Sequence, residues 1–240
     1  MNHIYWAGDS TVQYNSIETY PQNGIGQVFH LFVKPEVQVH NMAKNGRSTK
    51  SFIDEGRLAE IESMISEGDF FFIQFGHNDE KIQDPTRYTT PDGTFIENLG
   101  IFAKVAKDHG AHPVFITPIE RRCFGEDGKL GPGEHGAYVA GMKKAAELYH
   151  VPLIDLYSES RKILNDLGPK DAEILHLVCE PGRYPGFPEG KDDHTHLSYR
   201  GAVCYASVIA EGMRALGGIY AEPLLEIRQA EHNLMPDVEP

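Results

Sequence analysis

Short apolar runs alternate with longer segments of helical periodicity along most of the chain. The runs with the length and composition of buried strands are residues 4–7, 37–42, 69–75, 113–117 and 152–156. The third run is almost continuously apolar, which is typical of a parallel strand covered on both faces. Strands that alternate with helices predict an α/β fold, in which a parallel sheet carries helices on both sides.

The segments between these runs predict the helices. Apolar residues recur at helical spacing over 50–66, where Phe52, Leu58 and Ile61 are examples. Further helices are expected over residues 26–33, 94–109, 138–150, 158–177 and 198–216. Ser198 is suited to cap the last of them, because its hydroxyl can accept a hydrogen bond from an unpaired N–H of the first turn. Residues 80–92, 125–136 and 181–192 are rich in Pro, Gly and charge, and predict loops.

Polar segments with a motif-like character follow the first three predicted strands. Gly8-Asp9-Ser10 ends the first strand, Asn45-Gly46 comes after the second, and Gly76-His77-Asn78-Asp79 comes after the third. The carboxyl ends of parallel strands meet at one edge of a sheet, where ligands bind. We therefore expect these three segments to meet. A fourth polar segment, Asp193-His194-Thr195-His196, precedes the last helix.

These four segments contain the parts of a serine enzyme for acyl transfer. Ser10 would be the nucleophile, and His196 would be the base that takes its proton. Asp193, three residues before His196 on a tight turn, would orient the imidazole ring. The main-chain N–H groups of Ser10 and Gly46 and the side-chain amide of Asn78 would donate hydrogen bonds to the oxyanion.

Each segment also has an ordinary structural interpretation. The Asp9-Ser10-Thr11 segment could form a turn or a helix cap, Gly46 could serve a turn, and Asn78 could cap a helix. Residues 192–196 could form a polar loop or part of a metal site. The other histidines show no ligand-like spacing to this cluster, so we expect no metal. The Gly-x-Ser-x-Gly motif is missing from the sequence, which excludes the usual α/β-hydrolase elbow.

Composition narrows the class of protein further. The 240 residues are 40% hydrophobic and 24% charged, with no linker-like stretch in the middle, which predicts one domain with one core. A formal net charge of -13 argues against a nucleic-acid partner. No apolar run approaches the roughly 20 residues of a membrane span, and the N-terminus lacks the basic and apolar regions of a signal peptide. These features predict a cytoplasmic protein without a membrane partner.

The motifs together resemble the conserved blocks of the SGNH (GDSL-type) esterase superfamily. The blocks are Gly8-Asp9-Ser10, Gly46, Gly76-x-Asn78-Asp79 and Asp193-x-x-His196. Within that superfamily, residues 21–27 and 45–48 are similar to those of the rhamnogalacturonan acetylesterases. The resemblance runs from the N-terminus to about residue 217. It predicts a single hydrolase domain over 1–217 and a tail over 218–240 that packs locally or meets a partner.

The resemblance implies a flavodoxin-like three-layer α/β/α fold with a five-stranded sheet of order 2-1-3-4-5. It implies Ser10, His196 and Asp193 as the catalytic residues, and Ser10, Gly46 and Asn78 as the oxyanion hole. It also implies that the enzyme uses neither a metal nor an organic cofactor. The oligomeric state stays open between a monomer and a homodimer.

The expected activity is the removal of O-acetyl groups from plant cell-wall oligosaccharides, above all from rhamnogalacturonan (pectin) fragments. Such substrates carry uronate carboxylates, which arginine binds well. Arg47, Arg121 and Arg122 are therefore candidates for substrate binding, although each could be an ordinary surface arginine. The alternatives are an acetylxylan esterase or broad short-chain deacetylase, and a carbohydrate-binding protein that has lost catalysis.

Overall fold

Five parallel strands form the central sheet of this computed structural model, which describes residues 3–133 and 135–226. The strands are β1 (His3–Gly8), β2 (Gln38–Asn41), β3 (Phe70–Gln74), β4 (His112–Ile116) and β5 (Leu153–Ile154). Their order is β2-β1-β3-β4-β5, and every neighbouring pair is parallel. The predicted fold and strand order are confirmed.

The helices flank this sheet on both faces. They are α1 (Ile25–Val28), α2 (Thr49–Asp54), α3 (Arg57–Glu62), α4 (Thr94–Asp108), α5 (Gly136–Tyr149), α6 (Leu156–Asp171) and α7 (Tyr199–Leu216). Short 3-10 helices occupy Ile17–Thr19, Phe29–Leu31, Ala172–Leu175 and Gly218–Tyr220. None of the helices within the described ranges combines the length and the apolar content needed to cross a membrane.

Alternation along the strands divides the core into two hydrophobic layers. On β1, Trp6 joins the layer that packs against α1, α6 and α7, whereas Ala7 joins the layer covered by α2 to α5. On β3, Phe72 and Ile73 divide in the same way. Successive side chains of a strand point to opposite faces. A sheet buried on both faces therefore needs continuously apolar strands, as the sequence of β3 indicated.

The predicted helix over 50–66 is divided into α2 and α3. Gly56 lies at the break with φ of +75°, a left-handed conformation that favours glycine and ends the hydrogen-bonded helix. Ser198 caps α7 as predicted, since its side chain accepts a hydrogen bond from Gly201 N at 3.1 Å.

An antiparallel pair of strands outside the central sheet differs from the sequence prediction. Strands β6 (His176–Cys179) and β7 (Lys191–Leu197) pair with each other, with an irregularity between His176 and Val178. The expected helix over 158–177 is kinked at Gly168, which adopts φ of +74° and is followed by Pro169, and α6 ends at Asp171. The segment from Asp193 to His196 therefore lies on a strand, and the predicted tight turn was wrong.

Residues 218–226 pack against the α1 side of the domain. Leu225 N donates to the carbonyl of Phe32 at 2.9 Å, and Lys34 N donates to the carbonyl of Pro223 at 2.9 Å. Arg214 Nη2 adds a bond to the carbonyl of Leu225 at 3.0 Å. The remainder of the expected tail, 227–240, lies outside the described residues, and the domain boundary at 217 stays a prediction.

Candidate active site

The segment after β1 forms a tight turn that carries Ser10. The carbonyl of Asp9 accepts hydrogen bonds from Val12 N at 3.2 Å and Gln13 N at 3.0 Å. The buried Asp9 carboxylate accepts hydrogen bonds from Thr11 N at 2.9 Å and Thr11 Oγ1 at 2.8 Å. Burial raises the pKa of Asp9, and these bonds from Thr11 oppose the rise. The turn is thus fixed on both sides of Ser10, which retains 7% exposure.

The loop after β2 brings Gly46 to the same edge of the sheet. Lys44 N donates to the carbonyl of Gly8 at 3.0 Å, which ties this loop to the end of β1. Gly46 has φ of +78°. Among the residues that the structure describes, neither Ser10 N–H nor Gly46 N–H has a hydrogen-bond acceptor. Two unpaired main-chain donors at the same edge of the sheet can bind an oxyanion.

Asn78 follows β3, and both ends of its carboxamide are hydrogen-bonded. Its Nδ2 donates to the carbonyl of Arg47 at 3.1 Å, and its Oδ1 accepts a long bond of 3.4 Å from Arg87 Nη1. A carboxamide nitrogen has two hydrogens to donate. One hydrogen of Asn78 Nδ2 is therefore available for a ligand.

Asp79 anchors the loop that carries Asn78. Its carboxylate is fully buried and accepts hydrogen bonds from Thr49 N at 3.1 Å and from Thr89 Oγ1 at 3.1 Å. Tyr138 OH donates to the main-chain carbonyl of Asp79 at 2.9 Å. Burial raises the pKa of Asp79 to about 7, although the hydrogen bonds from Thr49 and Thr89 counteract it.

His196 and Asp193 form a hydrogen-bonded pair on β7. His196 Nδ1 lies 2.9 Å from Asp193 Oδ2, while Oδ1 of the same carboxylate accepts from the N–H groups of His196 and Thr195, each at 2.7 Å. Partial burial alone would raise the pKa of Asp193. The bonds from His196 and Thr195 outweigh it and hold that pKa well below its usual range. Asp193 therefore stays ionised at neutral pH and can accept a hydrogen bond from the imidazole of His196.

His196 lies close enough to the Ser10 turn to affect it electrostatically. A positive charge on the imidazole would lower the pKa of the neighbouring Asp9 and so oppose the rise caused by burial. No hydrogen bond joins Ser10 Oγ to His196 in the described part of the chain. Catalytic hydrogen bonds are often long in unliganded enzymes and shorten when substrate binds.

Arg47 lies beside the unpaired donors. It donates through Nε to Glu55 Oε2 at 2.9 Å and through Nη1 to the carbonyl of Asn45 at 2.8 Å. Arg47, Gly46 and Arg87 line one cavity of about 470 Å³. Arg47 is thus at the edge where Gly46 and Asn78 meet.

Arg121 and Arg122 are more deeply enclosed. Arg121 Nη2 pairs with Glu80 Oε1 at 2.9 Å, and the other oxygen of Glu80 lies 2.8 Å from Nδ1 of the buried His135. The side chain of Arg122 is 6% exposed and pairs with Asp192. Both guanidinium groups are therefore engaged with acidic residues of the protein.

Comparison with known proteins identifies the family. The sequence matches the family described as GDSL-like Lipase/Acylhydrolase over residues 4–207. The chain belongs to this family. The GDSL-like chain is 40% identical over 231 residues to the rhamnogalacturonan acetylesterase RhgT of Bacillus subtilis, covering 95% of this chain and 97% of the relative. It is 35% identical to the probable rhamnogalacturonan acetylesterase YesY of the same organism, covering 95% and 99%.

Solved structures show the same fold. YxiM of Bacillus subtilis superposes with a TM-score of 0.76 at 26% identity, and the match covers 90% of this chain and 57% of that one. The GDSL-like chain thus spans little more than half of that protein. The acetylxylan esterase Axe2 of Geobacillus stearothermophilus has a TM-score of 0.63 at 14% identity, covering 88% and 93%.

The GDSL-like chain contains one site residue that sequence reasoning missed. Arg87 contacts the carboxamide of Asn78 and is held by Asp84, whose Oδ2 lies 2.6 Å from Arg87 Nε. Arg87 belongs to the loop predicted over 80–92, where no periodicity relates a residue to the sheet. Arg87 is far in sequence from the end of β3, so no pattern in the sequence indicates that it lies at the site.

A metal was not expected at this site. Within residues 3–133 and 135–226 no group of three or more His, Cys, Asp and Glu is arranged to hold a metal ion. The expectation of an enzyme without a cofactor stays a prediction.

Proposed function

We propose that the protein is a serine esterase that removes O-acetyl groups from plant cell-wall oligosaccharides, most of all from rhamnogalacturonan fragments. The observation that carries this proposal is the convergence of the N–H groups of Ser10 and Gly46, which have no acceptor among the described residues, with the amide of Asn78. The pair of His196 and Asp193 supports a base for Ser10. The two relatives named as rhamnogalacturonan acetylesterases, aligned over nearly the full chain, support the substrate class.

The reaction has two steps. Ser10 Oγ attacks the acetyl carbonyl carbon while His196 accepts the hydroxyl proton, and the carbonyl oxygen becomes an oxyanion. The C–O bond to the sugar then breaks, and His196 returns the proton to the departing sugar hydroxyl. Water attacks the acetyl-enzyme with His196 again as base, and release of acetate restores the Ser10 hydroxyl.

Developing charge is stabilised at two places in this mechanism. The N–H groups of Ser10 and Gly46 and the free amide hydrogen of Asn78 bind the oxyanion. Asp193 holds the imidazole in one tautomer and stabilises the imidazolium that forms on His196. Both sets of groups are in place before the ester arrives, so little reorganisation is needed during the reaction.

The three candidate arginines differ in how well their contacts suit substrate binding. Arg47 borders the cavity beside Gly46, so we propose it for a uronate carboxylate of the substrate. Arg121 and Arg122 already pair with Glu80 and Asp192, and a substrate contact by either one would compete with these partners.

Acetate release from two substrates tests the proposal. Acetylated rhamnogalacturonan oligosaccharides and acetylated xylo-oligosaccharides are compared side by side, with Ser10→Ala as the blank. We expect preference for the first substrate and loss of release in the variant. Equal or reversed preference would favour the xylan or broad-deacetylase alternative. Sugar binding without acetate release from either substrate would favour the inactive binding protein.

A further inference from the structure

A cleft of about 460 Å³, lined by both polar and apolar side chains, opens near the segments that carry the proposed catalytic residues. It lies between the segment that continues from Ser10 and the segment that continues from His196. Its lining includes Asn15, Tyr20, Gln22, Asn23, Gln27 and Tyr199. The oxyanion chemistry does not use any of them.

Exposed aromatic rings border this cleft. Tyr20 is 50% exposed and Tyr199 is 46% exposed, and both line it. Rings that pack a core are buried, whereas these keep a large part of their surface in water. An aromatic ring with an exposed face offers an apolar surface to the C–H groups of a sugar ring.

Side-chain amides supply the polar part of the cleft. Among the described residues, the amide of Gln22 makes no hydrogen bond, and Oδ1 of Asn15 and Oδ1 of Asn23 accept none. An amide offers both donors and acceptors, and each sugar hydroxyl can use both. The unused amide of Gln22 and the unused Oδ1 atoms of Asn15 and Asn23, beside exposed rings, suit a neutral sugar better than an apolar ligand.

The cleft is held rigidly before a ligand binds. Asn15 N donates to Gln27 Oε1 at 3.0 Å, and Gln27 Nε2 donates back to the carbonyl of Asn15 at 3.2 Å. The ring of Tyr184 packs edge-on against Tyr20 at 5.3 Å. The loop that contains Gly186 packs closely against the main chain of Glu18. Only glycine fits there, because a Cβ at residue 186 would lie 2.2 Å from the carbonyl oxygen of Glu18.

The same elements connect the cleft to the catalytic segments. Asn23 N donates to the carbonyl of Leu197 at 2.9 Å, one residue after His196. Ile25 N donates to the carbonyl of Thr11 at 2.8 Å, one residue after Ser10. The cleft therefore adjoins the position that an acetylated sugar at Ser10 would occupy, within reach of a neighbouring sugar of the same chain.

We propose that this cleft is a subsite for a neutral sugar residue of the substrate chain, adjoining the acetylated residue. The sugar stacks on Tyr20 and Tyr199, and its hydroxyls bond to the amides of Asn15, Gln22 and Asn23. This inference rests on the proposed function, because it takes a carbohydrate chain as the substrate.

The test compares a glycan with a small ester that cannot reach the subsite. For Tyr20→Ala and for Tyr199→Ala we expect KM for acetylated rhamnogalacturonan oligosaccharides to rise by about tenfold with kcat nearly unchanged. The kcat/KM for 4-nitrophenyl acetate stays at the wild-type value, which also shows that each variant is folded. Tyr20→Phe keeps the ring and therefore keeps the wild-type KM. Leu148→Ala removes a 62%-exposed side chain from α5 on the other face of the sheet and serves as the control.

The outcomes separate the subsite from the proposed function. Unchanged KM in both alanine variants of an active deacetylase would overturn the subsite and leave the deacetylase in place. If wild-type protein released no acetate from the glycan, calorimetric binding of deacetylated rhamnogalacturonan oligosaccharides to Ser10→Ala protein would decide. Binding weakened by Tyr20→Ala supports the subsite while the proposed function fails. An absence of binding, or binding that Tyr20→Ala leaves intact, overturns the subsite.

Discussion

Asn78 Nδ2 donates a hydrogen bond to the main-chain carbonyl of Arg47 at 3.1 Å and so joins the loop after β3 to the loop after β2. Gly46 immediately precedes Arg47, so this bond fixes the relative position of two proposed oxyanion donors. A displacement of either loop would separate the donors. Preorganised donors are effective because they need no rearrangement as charge develops.

We expect Asn78→Ala to lower kcat by about 10²–10³ with little effect on KM, because its amide contributes mainly to the transition state. Steady-state kinetics on 4-nitrophenyl acetate give both constants. Asn98→Ala is the control. The side-chain amide of Asn98 also donates a partly buried hydrogen bond, to Thr49 Oγ1 at 3.1 Å, but Asn98 has no proposed role in catalysis. A wild-type kcat in Asn78→Ala would contradict an oxyanion role.

Gly46→Ala and Gly56→Ala form a matched pair. Gly46 has φ of +78° and Gly56 has φ of +75°. A Cβ added at Gly46 would contact only Arg87 Nη1, at 3.7 Å, and a Cβ added at Gly56 would have no atom within 4 Å. Both changes should therefore cost about 1 kcal/mol or slightly more in free energy of unfolding, measured with urea. Only Gly46→Ala should also lower kcat, because strain there turns the donor N–H. Equal activity in the two variants would contradict the expectation that strain at residue 46 turns its N–H away from the oxyanion.

Arg47→Ala should raise KM for uronate-containing acetylated oligosaccharides by about tenfold and leave KM for neutral acetylated xylo-oligosaccharides nearly unchanged. Arg57→Ala is the control, because Arg57 Nε pairs with the same Oε2 of Glu55, at 2.8 Å against 2.9 Å for Arg47. Arg57 does not line the cavity beside Gly46. If Arg47→Ala affected charged and neutral substrates equally, the carboxylate contact would be wrong.

Asp193→Asn should reduce kcat by about 10⁴, since an amide can favour the wrong tautomer of His196 and cannot stabilise its imidazolium. Asp192→Asn, one residue earlier, breaks a pair with Arg122 and should leave kcat within a few-fold of the wild type. The pKa of Asp193 lies well below its usual range, so Asp193 stays charged throughout mildly acidic conditions. A fall in wild-type activity under mildly acidic conditions should therefore not come from protonation of Asp193. A wild-type rate in Asp193→Asn would exclude the triad.

Asp79 should make stability decrease as pH rises from about 4 to about 7. Burial raises its folded pKa to about 7, whereas an unfolded aspartate titrates near 3.9, so the folded state binds more protons between these values. Above pH 7 the contribution is constant. Urea unfolding across this range should show a shallower decline in Asp79→Asn than in wild type. Asp84→Asn is the control, because its lowered pKa places its effect below this window. An identical decline in Asp79→Asn would contradict the shift.

The local pattern of apolar and polar residues was sufficient to predict the parallel sheet. The apolar run at β3 and the alternation of strands and helices depend on residues close in sequence, and right-handed crossovers restrict the topology. Because parallel strands end at one edge, Ser10, Gly46 and Asn78 could be placed together before the structure was known. Only the coordinates show their hydrogen bonds: the N–H groups of Ser10 and Gly46 have no acceptor among the described residues, and both ends of the Asn78 carboxamide are hydrogen-bonded.

The sequence by itself determined the parallel sheet, the two covered faces and the edge that carries the motifs, because these follow from periodicity and chain chirality, while the strand order followed from the resemblance to the SGNH superfamily. Only the tertiary structure decided that Asp193 and His196 lie on a strand paired with β6, and that Arg87 reaches Asn78. Polar strands and irregular loops have no periodic signal of their own. Their conformation depends on hydrogen bonds and packing with residues distant in sequence.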